Sequence, residues 1–171
     1  MIIGCTGNFR KAEFIRIVKE VSDSISIIDS NISLVVSSDF LATDENKYNF
    51  RLLDFDELIQ KVDVLIAIGG DGTILSTCRR MKGSSIPIYG IHLGGLGFLS
   101  QVTVENIKKS INMLIDKEFV IEKRSLIKVD IEIKNNIKSF HCLNDVVIDH
   151  GSSGRVLKSN VSVGDKFINI F

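Results

Sequence analysis

The sequence predicts an α/β fold: an open, mostly parallel sheet with flanking helices, followed by the beginning of an antiparallel β-rich second domain. Three observations carry that expectation. Strand-like and helix-like segments alternate along the first two thirds of the chain, as they do in layered α/β sheets. Residues 64–68, Val-Leu-Ile-Ala-Ile, form a wholly apolar, β-branched run of the kind buried on both faces of a parallel sheet. From Ile127 onward the hydrophobic period changes to two, which marks half-buried antiparallel strands. The change places the domain division at 1–116 and 117–171.

Residues 1–5 read as the first strand. Residues 11–24 and the adjoining Ile25 put Phe14, Ile15, Val18, Val21 and Ile25 at helical spacing, so one face packs on the sheet. A second strand follows at 32–36. Residues 37–50 are polar and acidic without periodicity and read as a mobile loop, with one or two helical turns at 56–62. After the strand at 64–68 comes a glycine turn, with a helix beginning near Ile74. Residues 86–92 form another apolar strand, with the only proline, Pro87, near its start. Thr103 caps a helix running to about Ile115, with Ile107, Ile111, Leu114 and Ile115 facing inward. Beyond Asp116, Ile127, Val129, Ile131 and Ile133 alternate with Lys128, Asp130, Glu132 and Lys134. Asn135-Asn136 then turns the chain back into 137–143, and Gly164-Asp165 joins 160–163 to 166–170 as a second hairpin. The last strand pattern, ending at Phe171, has nothing after it to cover its edge, which reads as a truncated chain open to self-association.

At 171 residues the chain fits one ordinary domain, or one domain and part of another. Lys plus Arg and Asp plus Glu both total 21, and no basic stripe or polybasic tail stands out, which argues against nucleic acid or a membrane surface as partner. Cys5, Cys78 and Cys142 are odd in number, far apart and never in C-x-x-C, so neither a disulfide framework nor a zinc knuckle is expected. They read as small buried residues of a reducing compartment. No apolar run approaches the roughly 20 residues that span a bilayer, and Met1 leads straight into a strand, so a cytoplasmic location is expected.

The chemistry concentrates at Gly69-Gly70-Asp71-Gly72-Thr73. Glycines let a ligand approach the backbone amides, and a helix start places those amides at a positive end suited to phosphate. Asp71 itself does not bind phosphate; an acid among phosphate-cradling amides suggests accepting a hydroxyl proton or holding a metal that bridges phosphates. The plainer alternative is a tight turn in which Asp71 or Thr73 only caps the helix. A second cluster, Gly90-Ile91-His92-Leu93-Gly94-Gly95-Leu96-Gly97-Phe98-Leu99, follows the next strand and would share a crevice with the first, Phe98 giving a flat wall for a base. Its alternative is a packing turn with Phe98 in the core. Asn144-Asp145 stands at a strand junction, where an amide beside a carboxylate reads an adenine edge or ribose hydroxyls, or is simply a polar pair. Arg155 lies on a Ser-Ser-Gly loop within reach of a phosphate, or as a solvated cation. His92 is read as orienting a loop by hydrogen bonding, and His141, Cys142, Asp145 and His150 follow no zinc spacing. Neither G-x-x-x-x-G-K-[ST] nor G-x-G-x-x-G occurs, against a Walker-type ATPase and an ordinary dehydrogenase.

In this order, Gly69–Thr73, the segment 90–99 with its L-G-F-L ending, Arg124-Ser125 and Leu143-Asn144-Asp145-Val146-Val147-Ile148 resemble the NAD kinase family. The first motif alone is shared with 6-phosphofructokinases and with diacylglycerol and sphingosine kinases; the combination is more specific. The resemblance implies transfer of the terminal phosphoryl group of ATP, or in some members polyphosphate, to the 2′-hydroxyl of the adenosine ribose of NAD, with Mg²⁺ or another divalent cation. Asp71 matches the family's proposed proton acceptor, and Gly70, Gly72 and Thr73 supply amides toward phosphate. Asn144 and Asp145 match its dinucleotide-binding pair, Phe98 its ring contact and Arg155 a ligand-contacting loop position. The family commonly forms dimers or tetramers, so a homo-oligomer is expected. Asp145 stands where glutamate is frequent and His92 where asparagine is common; a second G-D-G and a T-P-T-G-S-T-A-Y-like segment of the family have no counterpart here. A lipid kinase sharing the first motif and a non-catalytic NAD-binding or assembly module are the rival expectations.

Overall fold

The computed structural model describes residues 1–39, 50–94, 97–100, 102–154 and 156–171. Among them, six parallel strands form one sheet in the order β3-β2-β1-β4-β5-β6. These strands are β1 Ile2–Gly7, β2 Ser33–Ser37, β3 Arg51–Leu53, β4 Val64–Gly69, β5 Ile88–His92 and β6 Val102–Thr103. β4 is the central strand expected of the apolar run: all its residues are buried. It pairs with β1 from Ile3↔Val64 to Gly7↔Ile68 and with β5 from Leu65↔Ile88 to Gly69↔His92.

Helices cover both faces. α1 (Glu13–Ile28) and α4 (Ile107–Ile115) lie on one, where Phe14, Ile17, Val21, Ile107 and Ile111 pack with Ile3, Cys5, Ile66 and Ile68 of the sheet. α2 (Phe55–Lys61) and the end of α3 (Asp71–Arg80) lie on the other, where Phe55, Leu58 and Met81 pack with Val35 and Leu65. Burial pushes the Cys5 thiol up to about 12 and raises that of Cys78, while Cys142 is only half-buried. No helix among the described residues is long and apolar enough to cross a membrane.

Several elements differ from the sequence expectation for local reasons. β3 and β6 were not foreseen: they span three and two residues, too few to show a period, and exist through pairing with β2 and β5. The expected loop at 37–50 begins inside β2, whose Ser37 hydroxyl donates to Asp39, and residues 40–49 fall outside the described residues. α2 starts at Phe55 because Asp54 accepts from the Glu57 amide at 2.9 Å, an ordinary N-cap bond. Thr103 makes no side-chain cap; a 3₁₀ turn, Val104–Asn106, intervenes before α4.

The antiparallel part consists of two hairpins, β7 (Ile127–Ile133) with β8 (Asn136–Cys142) and β9 (Asn160–Val163) with β10 (Lys166–Ile170). The first turns at Lys134-Asn135, not Asn135-Asn136: both have positive φ, 49° and 64°, as a two-residue hairpin turn requires. The second turns at Gly164-Asp165 as the sequence suggests.

Gly7 closes the β1–β4 seam beneath the loops. A Cβ there would lie 2.2 Å from the Ile68 carbonyl oxygen and 2.8 Å from the Phe14 ring. Gly7→Ala is therefore expected to lower stability by about 1–3 kcal/mol, read by urea unfolding. An unchanged midpoint would mean that the seam is looser than described.

Candidate active site

The strand order reverses direction between β1 and β4, and the helices that follow them diverge to opposite faces. In such a sheet the crevice lies outside the carboxyl ends of those strands. The glycine turn is the carboxyl end of β4. Gly70 takes an extended conformation, and the chain enters α3 at Asp71 rather than near Ile74. The Thr73 and Ile74 amides both donate to the Gly70 carbonyl, at 2.9 and 3.3 Å. The Thr73 amide is thus used within the turn, leaving those of Asp71 and Gly72 as unpaired donors at the helix start among the described residues. The glycine at 69 is dictated by Thr73, whose Oγ1 lies 2.1 Å from where a Cβ would stand.

Asp71 is half-buried and does not cap its own helix through its side chain. Its carboxylate reaches across to the loop after β5. The Phe98 amide donates to Oδ2 at 2.8 Å and the Leu99 amide to Oδ1 at 3.1 Å. The backbone bond from Phe98 is the main cause holding the Asp71 carboxyl below the usual carboxylate range; partial desolvation opposes it, and bonds from Leu99 and Ser100 and the nearby His92 add to it. Gly97 makes the approach possible, since a Cβ there would fall 2.1 Å from Asp71 Oδ1. Both glycine clusters therefore meet at one carboxylate, as the shared-crevice expectation required.

Phe98, beside that carboxylate, is 98% exposed, which removes the reading of it as a core residue. Gly95 and Leu96 lie outside the described residues, as does Arg155. Among the described residues His92 shows no loop-orienting hydrogen bond, its Nδ1 being buried without a partner there. Its ring instead packs beside the two glycine loops, Nε2 being 3.6 Å from a Cβ built on Gly70 and Cε1 4.0 Å from one on Gly94.

Next to the turn a cleft of about 550 Å³ opens between α3 and the end of β8. Gly72, Ser76 and Arg79 line one side; Asn144 and Asp145 line the other; Val129, Phe140 and Val147 supply apolar wall. This mixture of apolar wall and a few convergent polar groups is typical of small-molecule sites. Asp71 itself is not in the lining; its neighbour Gly72 is. Asn144 and Asp145 are exposed and face the same space as the glycine turn, although 72 residues separate Asn144 from Gly72. Ser76 and Arg79 were missed in the sequence reading. Their signal was present: 72, 75, 76 and 79 follow helical spacing from the glycine turn.

Sheet order and flanking cleft define a doubly wound α/β protein with a candidate ligand site at the ends of β4 and β5. Residues 7–119 match the ATP-NAD kinase N-terminal domain. The chain is 34% identical over 169 residues to the NAD kinase of Clostridium kluyveri, covering 99% of this chain and 56% of that protein. It is 36% identical over 124 residues to the NAD kinase of Clostridium botulinum strain Loch Maree, covering 72% of this chain and 44% of that one. The chain belongs to the NAD kinase family. Among solved structures it resembles yeast NADH kinase complexed with NADH, with a TM-score of 0.84 at 18% identity over 99% of this chain and 54% of that one. The chain spans about half the length of the curated relatives it matches. The family match gives the lipid-kinase alternative no support.

Two outcomes test the geometry. A Cβ at Gly72 meets nothing within 4 Å, so Gly72→Ala is expected to leave stability unchanged or slightly raised while weakening nucleotide binding, read by thermal melts and calorimetry side by side. Equal affinity would show that ligands keep away from this turn. Because the folded Asp71 carboxyl titrates below its ordinary 3.8, the stabilisation it lends the loop is present above that value and lost only as pH falls through the lower folded value. Carboxyl-detected NMR should place its midpoint below 3.8, with Phe98 and Leu99 amide shifts following it. A midpoint above 3.8 would contradict the bonding pattern.

Proposed function

We propose that this chain carries the phosphoryl-transfer centre of an NAD kinase, with Asp71 facing the 2′-hydroxyl of the adenosine ribose of NAD and ATP as phosphoryl donor. The observation that carries the reading is the Asp71 carboxylate held at the switch point beside a cleft lined by Gly72, Asn144 and Asp145. In this reading residues 1–116 hold the donor phosphates and 117–171 supply groups that hold the dinucleotide.

The reaction joins the 2′-oxygen to the γ-phosphorus, breaks the bond from that phosphorus to the bridging oxygen of ADP, and passes the hydroxyl proton to Asp71; NADP and ADP result. A carboxylate held below its usual range is a weak base. It suffices because the transition state of phosphoryl transfer is loose, and the hydroxyl loses its proton late. Asp71 acts mainly by aligning that hydroxyl, an effect of position more than of basicity. The Asp71 and Gly72 amides, at the positive end of α3, face developing phosphate charge. The exposed Phe98 ring offers a face for the adenine, and Asn144 with Asp145 accepts from sugar hydroxyls. Arg155 is assigned to a ligand phosphate from its residue type and sequence position alone.

The residues fit a divalent ion that arrives with the triphosphate. Mg²⁺ keeps several waters and takes one or two carboxylates together with phosphates, and the two Asp71 oxygens, with about four lone-pair sites between them, keep acceptor capacity beyond their backbone amide contacts. When bound, the ion would neutralise charge between the β- and γ-phosphates.

Incubation with NAD, ATP and Mg²⁺, followed by enzymatic detection of NADP⁺, tests the proposal, with polyphosphate replacing ATP in a parallel reaction. Asp71→Asn should reduce formation by at least ~100-fold, and Asn144→Ala or Asp145→Ala should raise KM for NAD. NADP⁺ formation that survives Asp71→Asn removes that residue from its role. Binding of NAD without turnover would assign the chain to the non-catalytic reading instead.

A further inference from the structure

We propose that Arg79 is the phosphate-holding cation of the cleft, taking a phosphoanhydride group of the ligand against α3 while Asn144 and Asp145 take its sugar hydroxyls. The inference rests on the reading of the cleft as a nucleotide site, and not on the transfer step. Gly72, Leu75, Ser76 and Arg79 form one face of α3, and that face is a wall of the cleft. Arg79 is exposed, and its guanidinium has no ion-pair or hydrogen-bond partner among the described residues.

The adjacent arginine shows the contrast. Arg80 pairs with Asp39 at 2.6 Å and lies 3.9 Å over the Phe55 ring, so it is engaged on the helix's other side. Two basic residues in the last turn of α3 complement the helix dipole, but one of them suffices for that and the other points into a cavity. Helical side chains lean toward the amino end, so Arg79 reaches back along α3 toward Ser76 and the unpaired amides at Gly72. The face from Gly72 to Arg79 spans about 10 Å of helix.

Charge then fixes the ligand's orientation. Arg79 on one wall faces Asp145 on the other, and no ion pair joins them. A phosphate beside Asp145 is repelled, whereas hydroxyls donate to it; at Arg79 a phosphate accepts a bidentate pair of N–H bonds. A molecule with hydroxyls at one end and phosphates at the other matches both walls in one direction only. NAD and ATP share that chemistry.

Calorimetry on the full chain and on Arg79→Gln and Arg79→Lys, with adenosine, tripolyphosphate, NAD and ATP titrated at two salt concentrations, tests the inference. Arg79→Gln should weaken tripolyphosphate by about 10-fold or more and flatten its salt dependence, leave adenosine unchanged, and weaken whichever of NAD and ATP places its phosphates there. Arg79→Lys should recover part of the loss, since a point charge lacks the guanidinium fork. Three results would overturn the role: unaltered tripolyphosphate affinity in Arg79→Gln, an equal loss for adenosine, or no binding of any phosphate ligand to the unsubstituted chain. Should these ligands bind through Arg79 while no NADP⁺ forms, the transfer reading fails and this inference stands.

Discussion

Phe98 and Leu99 donate their N–H groups to the two oxygens of Asp71, and through that contact the loop after β5 is anchored to the turn after β4. Each partner solves a problem for the other. A carboxylate at the start of α3 gains two donors, and two loop amides gain an acceptor that water would otherwise supply. The arrangement tolerates no side chain at 97 and none at 69, because each Cβ would fall 2.1 Å from an oxygen of the turn. Gly97 is thus a consequence of where the acid is held, and Gly69 of where the Thr73 hydroxyl sits.

The sheet explains why that carboxylate is where it is. β4 is buried along its whole length and flanked by β1 and β5, so its carboxyl end is fixed by pairing on both sides. The helices after β1 and β4 leave toward opposite faces, and the space between their loops has to stay open. Rigid strands below and glycine loops above give a site whose position is set by the core and whose surface remains accessible to a ligand.

The central strand, the flanking helices and the meeting of both glycine clusters were legible because each carries a long or unusual pattern: an unbroken apolar run, 3.6-residue spacing, or glycine with acid. β3 and β6 were not, since two or three residues have no period and their pairing is a tertiary fact. The hairpin turn was misplaced by one residue because Lys134 adopts a positive φ that asparagine usually takes. At the site, Asp71, Phe98, Asn144 and Asp145 stood out by type, but what the carboxylate touches was hidden: backbone amides have no sequence signature. Arg79 was overlooked because an arginine late in a helix looks like an ordinary dipole partner until a cleft is seen beside it.

The most direct test of the central claim is a crystal structure of the chain with NAD bound. The account predicts the adenosine ribose at the carboxyl end of β4, its 2′-oxygen about 3 Å from an Asp71 carboxylate oxygen, with the adenine on the Phe98 face. A dinucleotide seated away from the glycine turn, or a ribose turned so that no hydroxyl meets Asp71, would contradict it.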